Sequence, residues 1–258
     1  MEIQLVKSRY KITQVLRAGK DFAAFLAVDI ESRDHTEYLL NVYEGAAGKR
    51  YVGRFESLRH CPEYVGMFTS DGALVSVFSY KQAENIDEFF YRGAKVSWRR
   101  RLDFAQQLFH LALSVWEYPP EISCAAFLTE NLRLLPHDNK LFVNYLLPPM
   151  DSMDSLESLA GMNNRELLYL LSDQVQKVLM RRFQMCAAEL DFLEELESGV
   201  FTSITVLYSA WQKLERELSA EYAKVFAMAE PMRTIYFASG HVKRWVKRRF
   251  SRTGRVKR

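Results

Sequence analysis

The sequence predicts an α+β protein in which a small antiparallel sheet is followed by helices. Three features of the 258 residues indicate this order. Short runs rich in β-branched and aromatic residues, separated by turn residues, extend to about residue 80. Apolar side chains recur at helical spacing between residues 98 and 116, and again in most segments from residue 154 onward. A sheet followed by helices is the order of an α+β chain with two lobes.

The first 80 residues are predicted to contain four strands. The first three are close enough in sequence to form an antiparallel meander, because only short turn segments separate them. The segment 48–60 has room for a helix of about two or three turns before the fourth strand. The predicted strands are Tyr10–Leu16, Phe22–Asp29, Tyr38–Tyr43 and Ala73–Tyr80, with turns at 17–20, 32–34 and 70–72.

The elements after residue 80 are predicted to be mostly helical. Ser97 is expected to cap a long amphipathic helix, Trp98–Trp116, which ends at Pro119 and Pro120. A hairpin is expected where two short apolar segments flank a polar turn. The other predicted elements are helix Ile86–Tyr91, hairpin strands Leu132–Leu135 and Leu141–Tyr145, and helices Asn164–Phe183, Ala187–Glu197 and Thr202–Met228, with breaks at Gly199 and Pro231.

The composition is that of a globular chain, with 48% hydrophobic and 26% charged residues, which argues against disorder. No apolar run approaches the ~18–20 residues that span a bilayer, and the first residues lack a signal-peptide pattern. We therefore expect a cytoplasmic protein, with membrane association at most peripheral within this chain. Three distant cysteines and five scattered histidines predict neither a disulfide framework nor a metal site.

The positive charge is concentrated at the end of the chain. Residues 243–258 contain nine Lys or Arg and no acidic residue, whereas the whole chain has a net charge of +3. Residues 1–242 therefore carry a net charge of −6, and the protein has a mildly acidic body with a basic tail.

Several strings occur in an order that resembles a protein kinase from Tyr10 to about Asn144. Tyr10–Leu16 and Phe22–Ala27 on either side of Gly19 resemble the strands around a glycine-rich loop. Leu128-Thr129-Glu130-Asn131 falls where the catalytic loop ends, and Leu141–Leu146 falls where the metal-binding Asp-Phe-Gly tripeptide stands. Other similar strings are Leu39–Tyr43, His60–Val65, Val75–Tyr80 and Ser172-Asp173. The resemblance implies a two-lobed kinase-like fold with a small antiparallel-sheet N-lobe and a reduced helical C-lobe.

The residues at the family's catalytic positions are nearly all neutral. Asn41 stands at the position of the phosphate-binding lysine, Ala126 at that of the catalytic base, and Asn144 at that of the metal-binding aspartate. Only Asn131 matches a metal ligand, and Gly19 alone remains of the glycine-rich loop. Phosphoryl transfer requires charge neutralisation around the phosphates. The resemblance therefore implies a pseudokinase, with no catalytic residues, no metal site and at most a degenerate ATP pocket formed by Gly19, Asn41, Asn131 and Asn144.

The basic tail has three interpretations. The first is a juxtamembrane segment on an anionic membrane surface, because each Lys or Arg there contributes about 1 kcal/mol and an aromatic residue suits the interface. The second is a nucleic-acid-binding arm, which ranks lower because the acidic body offers no basic face. The third is a disordered or partner-binding tail. The residues expected to bind the membrane are Lys243, Arg244, Trp245, Lys247, Arg248 and Arg249.

Together these features predict a catalytically inactive signalling or assembly module of bacterial type at the cytosolic face of a membrane. The arrangement resembles receptor-type bacterial serine/threonine kinases and, in architecture alone, the pseudokinase-like domain of a membrane subunit of type VII secretion. Other proteins would bind the kinase-like lobes. The predicted parts are an N-lobe (1–80), a helical C-lobe (81–240) and a juxtamembrane-like tail (241–258).

Three alternatives remain open. In the first, the chain is an atypical ATP-dependent phosphotransferase that uses displaced residues such as Lys49 or Asp138. In the second, it binds nucleic acid through its tail. The third is an unrelated α+β protein in which Asn131 merely caps a turn.

Overall fold

The computed structural model describes residues 5–6, 9–33, 35–91, 96–135, 137–148, 164–180 and 182–253. The chain divides into two compact units. The first comprises Met1–Ala94 and His110–Leu171, and the second comprises Lys95–Phe109 and Ser172–Arg258. Helices α3 (Trp98–Val115) and α5 (Asn164–Leu179) contribute residues to both units.

An antiparallel sheet of six strands forms the first part of unit one, as far as the structure describes it. The order across the sheet is β1-β2-β3-β4-β6-β5, so the predicted meander of three strands is confirmed. Two strands of this sheet, β1 and β5, were absent from the sequence prediction. The strands are β1 (Leu5–Val6), β2 (Tyr10–Ala18), β3 (Phe22–Asp29), β4 (Glu37–Tyr43), β5 (Tyr64–Ser70) and β6 (Ala73–Ser79).

The turn between β5 and β6 follows directly from its sequence. Asp71 and Gly72 both have positive φ, at 52° and 81°. Two left-handed residues in succession match the right-handed twist of paired strands, and Asp-Gly is a preferred pair for such a turn. The predicted turn at 70–72 is thereby confirmed.

The two faces of the sheet have different partners. Side chains alternate along a strand, so Asn41 and Tyr43 of β4 share one face while Leu40 lies on the other. Leu40 packs with Tyr10 and Val75 in an apolar cluster. Tyr43 instead stacks on Tyr51 of helix α1 (Gly45–Glu56), with ring centroids 4.6 Å apart. The face that carries Asn41 is therefore the helix-covered face.

Unit one also contains a small sheet and two short helices. Its strands, in the order β7-β8-β9, confirm the predicted hairpin, although the second hairpin strand ends at Val143 rather than at residue 145. Helix α4 was absent from the prediction, in which Pro120 only ended the preceding helix. Proline is tolerated in the first helical position because the N–H it lacks has no partner there. The elements are β7 (Glu84–Asn85), α2 (Ile86–Tyr91), α4 (Pro120–Ala125), β8 (Leu132–Leu135) and β9 (Lys140–Val143).

Unit two is built from helices. Ser97 caps α3 as predicted, since its Oγ accepts from the Arg100 N–H at 3.4 Å. Gly199 ends a helix with a φ of 66°, which confirms the break predicted there. The second break lies at residues 227–229, and Pro231 occupies the first turn of the next helix. Besides α5, which ends four residues before the predicted Phe183, the helices are α6 (Ala187–Ser198), α7 (Ile204–Phe226) and α8 (Glu230–Thr253).

The core of unit two includes the buried Trp211 and a cluster of ionisable side chains around Glu189. The Trp211 indole N–H donates to Gln106 Oε1 at 2.7 Å. Glu189 has no exposed surface, accepts a hydrogen bond from the Tyr222 hydroxyl, and lies 3.7 Å from the Arg182 guanidinium. Burial raises the pKa of Glu189 above its usual value. Ionisation of this carboxyl is therefore less favourable than in the unfolded chain.

Helix α8 is continuous across residue 241, where the basic tail was predicted to begin. It extends through 24 residues to Thr253. Among the residues that the structure describes, no helix is both long enough and apolar enough to cross a bilayer.

Candidate functional site

Two of the three candidate asparagines, Asn41 and Asn131, bind one short segment, Asn144–Leu147, which directly follows β9 and begins with the third. Asn41 on β4 donates its Nδ2 to the carbonyl of Tyr145 at 2.9 Å, and its Oδ1 accepts from the Leu147 N–H at 3.0 Å. The side chain has no exposed surface. Both ends of the Asn41 amide are thus bonded to backbone 104 and 106 residues away along the chain.

Asn131 binds the same segment from the side of α4. Its Nδ2 donates to the carbonyls of Ala125 at 2.9 Å and Leu146 at 3.1 Å. Its Oδ1 accepts from the Leu146 N–H at 3.3 Å, and its own carbonyl accepts from the Asn144 N–H at 2.9 Å. Asn131 is fully buried, so the one residue that matches a metal ligand has its amide oxygen engaged by the protein itself.

Asn144 joins the beginning of the segment to Lys81, just beyond β6. Its Oδ1 accepts from the Lys81 N–H at 3.2 Å, and its Nδ2 donates to the Lys81 carbonyl at 3.1 Å. This pair requires one donor and one acceptor on the same side chain, which an amide provides and a carboxylate does not. The Lys81 ammonium lies 4.9 Å from the centre of the Phe142 ring.

Two tyrosines that the sequence prediction missed complete the enclosure of this segment. The Tyr43 hydroxyl donates to the Leu147 carbonyl at 2.7 Å, and the Tyr145 ring lies 5.1 Å from that of Phe78. Both tyrosines are buried, and burial raises their pKa well above the usual value. The segment is therefore held by side-chain hydrogen bonds and aromatic packing together. A tyrosine two residues after Asn41 was the available sequence signal, because it shares that face of β4.

An ion pair fixes α1 to α4. Arg54, in the last turn of α1, contacts the carboxylate of Glu121, which is only 9% exposed. Glu56 was the nearest sequence candidate for the small-lobe glutamate of a kinase, and its side chain is exposed. Helix α1 is thus attached through an arginine to the helix that precedes the loop with Ala126. Ala126 is itself completely buried.

Gly19 lies apart from the three asparagines, at a cavity of about 440 Å³ between the β2–β3 turn and the start of α1. A Cβ at Gly19 would meet the Phe22 carbonyl at 3.3 Å, which explains why this turn favours glycine. None of the asparagines lines the cavity. The lining side chains are of both signs: Arg17, Lys20 and Arg50, with Asp21 and Glu44. The structure therefore brings Asn41, Asn131 and Asn144 together and places Gly19 elsewhere.

The described residues show neither a metal cluster nor an activated thiol. They contain no group of three or more His, Cys, Asp or Glu side chains arranged to hold a metal ion. The three cysteines are free and buried. Burial raises the pKa of Cys61 to about 11 and that of Cys124 to about 12, so both remain protonated at neutral pH.

The proposed membrane-binding residues lie in the second half of α8. Arg244 points back to α6, where it forms ion pairs with Asp191 at 2.8 Å and Glu194 at 2.7 Å. Lys243 and Trp245 are exposed, and 59% of the Trp245 surface is accessible. Lys247, Arg248 and Arg249 occupy positions within α8, whereas residues 254–258 lie outside the described residues. Arg244 thus has a structural role beyond that expected from the sequence.

Comparisons with known proteins identify the fold through structure alone. No protein-family model matches the sequence, and no curated protein matches it. The kinase domain of Mycobacterium tuberculosis PknI is similar with a TM-score of 0.52 and 11% identity, over 80% of this chain and 96% of that one. Rad53 (residues 1–466, in complex with AMP-PNP) is similar with a TM-score of 0.55 and 10% identity, over 79% of this chain and 65% of that one. The chain therefore has a protein-kinase-like α+β fold.

Proposed function

We propose that this chain is a pseudokinase: a catalytically inactive module that binds other proteins at the cytosolic face of a membrane. The observation that supports this proposal most directly is the bonding of Asn41, Asn131 and Asn144. All three amides are used to hold the backbone of residues 144–147 or of Lys81. Groups that bind a nucleotide or a metal must have free donors or acceptors when the ligand arrives.

The charge at these positions supports the same conclusion. Transfer of a phosphoryl group depends on cations that neutralise the phosphates and on a base that accepts the hydroxyl proton. Here the matched lysine position is the neutral Asn41, and the matched base position is the buried Ala126. Neither residue can be converted to the required group by a change of protonation.

A kinase-like fold without this chemistry can act through its surfaces. Signalling and assembly proteins bind partners through exposed side chains on a rigid framework, which this fold provides in unit one. The ion pair between Arg54 and Glu121 joins α1 to α4, and the bonds to residues 144–147 join β4 to the segment after β9. Protein partners of the kinase-like lobes are therefore the class of ligand we propose.

A Mg·ATP binding and turnover experiment tests the inactivity. We expect no shift of the melting temperature of the full chain with Mg·ATP, and no ATP hydrolysis or phosphotransfer. Asn131→Ala is the control, because it removes the one matched metal ligand. ATP turnover by the wild-type protein that is lost in Asn131→Ala would establish the alternative, an atypical phosphotransferase.

The basic end of the chain supports the membrane location. Each Lys or Arg near an anionic leaflet contributes about 1 kcal/mol, and residues 243–258 contain nine. The affinity for phosphatidylcholine–phosphatidylserine vesicles, measured by cosedimentation, should fall about 30-fold in Arg248→Ser with Arg249→Ser, because two contributions of about 1 kcal/mol are lost. The exposed pair Lys11→Ser with Lys20→Ser makes the same charge change on β2 and in its turn, and should have little effect. Equal binding to vesicles of phosphatidylcholine alone would contradict the electrostatic attachment. Tight, sequence-dependent binding to duplex DNA would instead favour a nucleic-acid function.

A further inference from the structure

Helix α8 has an inner face that is fixed to unit two. Phe237 is 1% exposed and packs near Phe226 of α7. One heptad later, Arg244 forms its two ion pairs with α6. Residues seven apart lie on the same side of a helix, so these two contacts fix the rotation of α8 about its axis. The Tyr236 hydroxyl adds a hydrogen bond to Glu221 of α7.

The outer face of α8, opposite Phe237 and Arg244, carries an exposed apolar stripe that Ser239 interrupts. Its members follow one another at spacings of three, seven and four residues, which places them on one side of the helix. Over 14 residues the stripe extends about 21 Å. The stripe consists of Met232, Ile235, Val242 and Val246, which are 57%, 60%, 60% and 38% exposed.

The residues that flank this stripe have interfacial character. Exposed Lys243 follows Val242 directly, and Trp245, 59% exposed, precedes Val246. Tryptophan is enriched where one part of a ring meets apolar chains and another meets water. A helix with one apolar face and basic residues beside it lies in the plane of a membrane interface, with its apolar side among the acyl chains near the headgroups.

We infer that the outer face of α8 lies on an anionic lipid surface, with the helix axis along that surface. The inference deepens the proposed function, on whose membrane location it rests. It adds that contact with the lipid begins at Met232, before the first of the nine basic residues. It adds also that the inner contacts of α8 hold unit two in one orientation relative to the lipid surface.

Charge favours a lipid surface over a second copy of this chain. The stripe also has the three-and-four spacing of a coiled-coil seam. Two copies aligned in parallel would, however, bring two sets of nine cations together without any acid between residues 243 and 258. An antiparallel pair would offer only Glu230 of each helix to the cations of the other. Arg244 is already paired with Asp191 and Glu194, and an anionic leaflet would neutralise the other cations. The charges of α8 therefore complement lipid headgroups.

Vesicle partitioning of the full chain tests the inference. Ile235→Ser with Val242→Ser removes apolar surface from the stripe without altering any charge. We expect it to weaken partitioning onto phosphatidylcholine–phosphatidylserine vesicles about tenfold. The control is Val200→Ser with Val206→Ser, because these valines are 58% and 50% exposed outside α8. The control should bind as the wild-type protein does, and equal melting temperatures of the two variants check that both are folded.

The outcomes separate this inference from the proposed function. If the wild-type protein does not bind the anionic vesicles, the membrane location itself is wrong, and the inference is wrong with it. If the wild-type protein binds and the Ile235→Ser, Val242→Ser variant binds within twofold, only the role of the helix face is overturned. A lipid-free dimer of the wild-type protein that this variant abolishes would also overturn it, because the stripe would then be a seam between two copies.

A fluorescent label gives a second readout at the same face. The native cysteines are buried, so a polarity-sensitive thiol dye would react with an Ile235→Cys variant at the new position. We expect a blue shift of its emission on addition of anionic vesicles, and no shift from the dye at Val206→Cys. An unchanged spectrum at position 235 while the protein is vesicle-bound would overturn the inference.

Discussion

Replacement of Asn41 tests whether residues 144–147 are held by the asparagines as the structure indicates. Asn41→Ala removes a donor to the Tyr145 carbonyl and an acceptor for the Leu147 N–H, both at a fully buried site. Asn41→Lys introduces the residue that the sequence resemblance to protein kinases implies for this position. It removes the same acceptor and introduces a buried charge, whose desolvation is unfavourable. We therefore expect both variants to be destabilised, and the lysine variant more strongly.

The expected magnitude follows from the two backbone groups. Each buried polar group that loses its partner costs about 1–3 kcal/mol. Loss of both bonds in Asn41→Ala should thus lower the free energy of unfolding by about 3 kcal/mol. For a protein of this size, that corresponds to a fall in melting temperature of about 6–12 °C.

Urea unfolding combined with hydrogen exchange provides the assay. Gln14 is an exposed amide on β2 of the same sheet, so Gln14→Ala and Gln14→Lys are matched controls. Exchange should accelerate at the Leu147 amide in the Asn41 variants and remain unchanged in the controls. The reasoning is refuted if Asn41→Ala is no less stable than Gln14→Ala. It is equally refuted if Asn41→Lys is as stable as the wild-type protein and gains a melting-temperature shift with Mg·ATP.

Three further predictions concern other buried polar groups. Asn144→Asp removes the donor to the Lys81 carbonyl, so it should lower the free energy of unfolding by about 1–3 kcal/mol and create no Mg²⁺ affinity by calorimetry. A double-mutant cycle with Arg54→Ala and Glu121→Ala should give a coupling energy above the 1 kcal/mol or so of a surface pair, because Glu121 is nearly buried. Because burial raises the pKa of Glu189, the unfolded chain loses this proton first as the pH rises above about 4. The free energy of unfolding should therefore decline as the pH rises above about 4. In urea unfolding, Glu189→Gln should show a weaker dependence of this free energy on pH.

The sequence predicted best those features whose cause is local. Asp71-Gly72 specified its turn because both residues tolerate positive φ, and Ser97 specified the start of α3 because its hydroxyl bonds the Arg100 N–H. Strand β5 was missed although it lies in the same sheet. Its register shifts between Tyr64 and Gly66, and such an irregularity breaks the alternation by which a strand is recognised.

The sequence named the candidate site residues, whereas their bonding could not be predicted from it. The order of elements located Asn41, Asn131 and Asn144 and showed that none of them is charged. A sequence shows that a side chain is an amide, but it does not show that its partners are the Tyr145 carbonyl and the Leu147 N–H. Those bonds depend on how the strand and the segment after β9 meet in the folded chain, and only the structure provides that.

The same distinction applies to the end of the chain. Pro231 predicted a break, which lies at residues 227–229, and the density of cations after residue 242 predicted a basic tail. The physical cause of the continuous helix lies in contacts with other elements, because Phe237 packs near Phe226 and Arg244 binds Asp191 and Glu194. A basic helix end is stabilised when part of its charge is neutralised in this way.

The bonding of the three candidate asparagines connects the fold to its proposed role. A catalytic cleft keeps charged groups in readiness for a ligand, at a cost in stability that ligand binding offsets. In this chain Asn41 and Asn131 instead join β4 and α4 to a single backbone segment, so the polar groups stabilise the free protein. A framework stabilised without a ligand presents the same surface in the presence or absence of nucleotide. We propose that regulation of such a module acts through what binds its exposed faces, and among the described residues the outer face of α8 combines apolar area with positive charge.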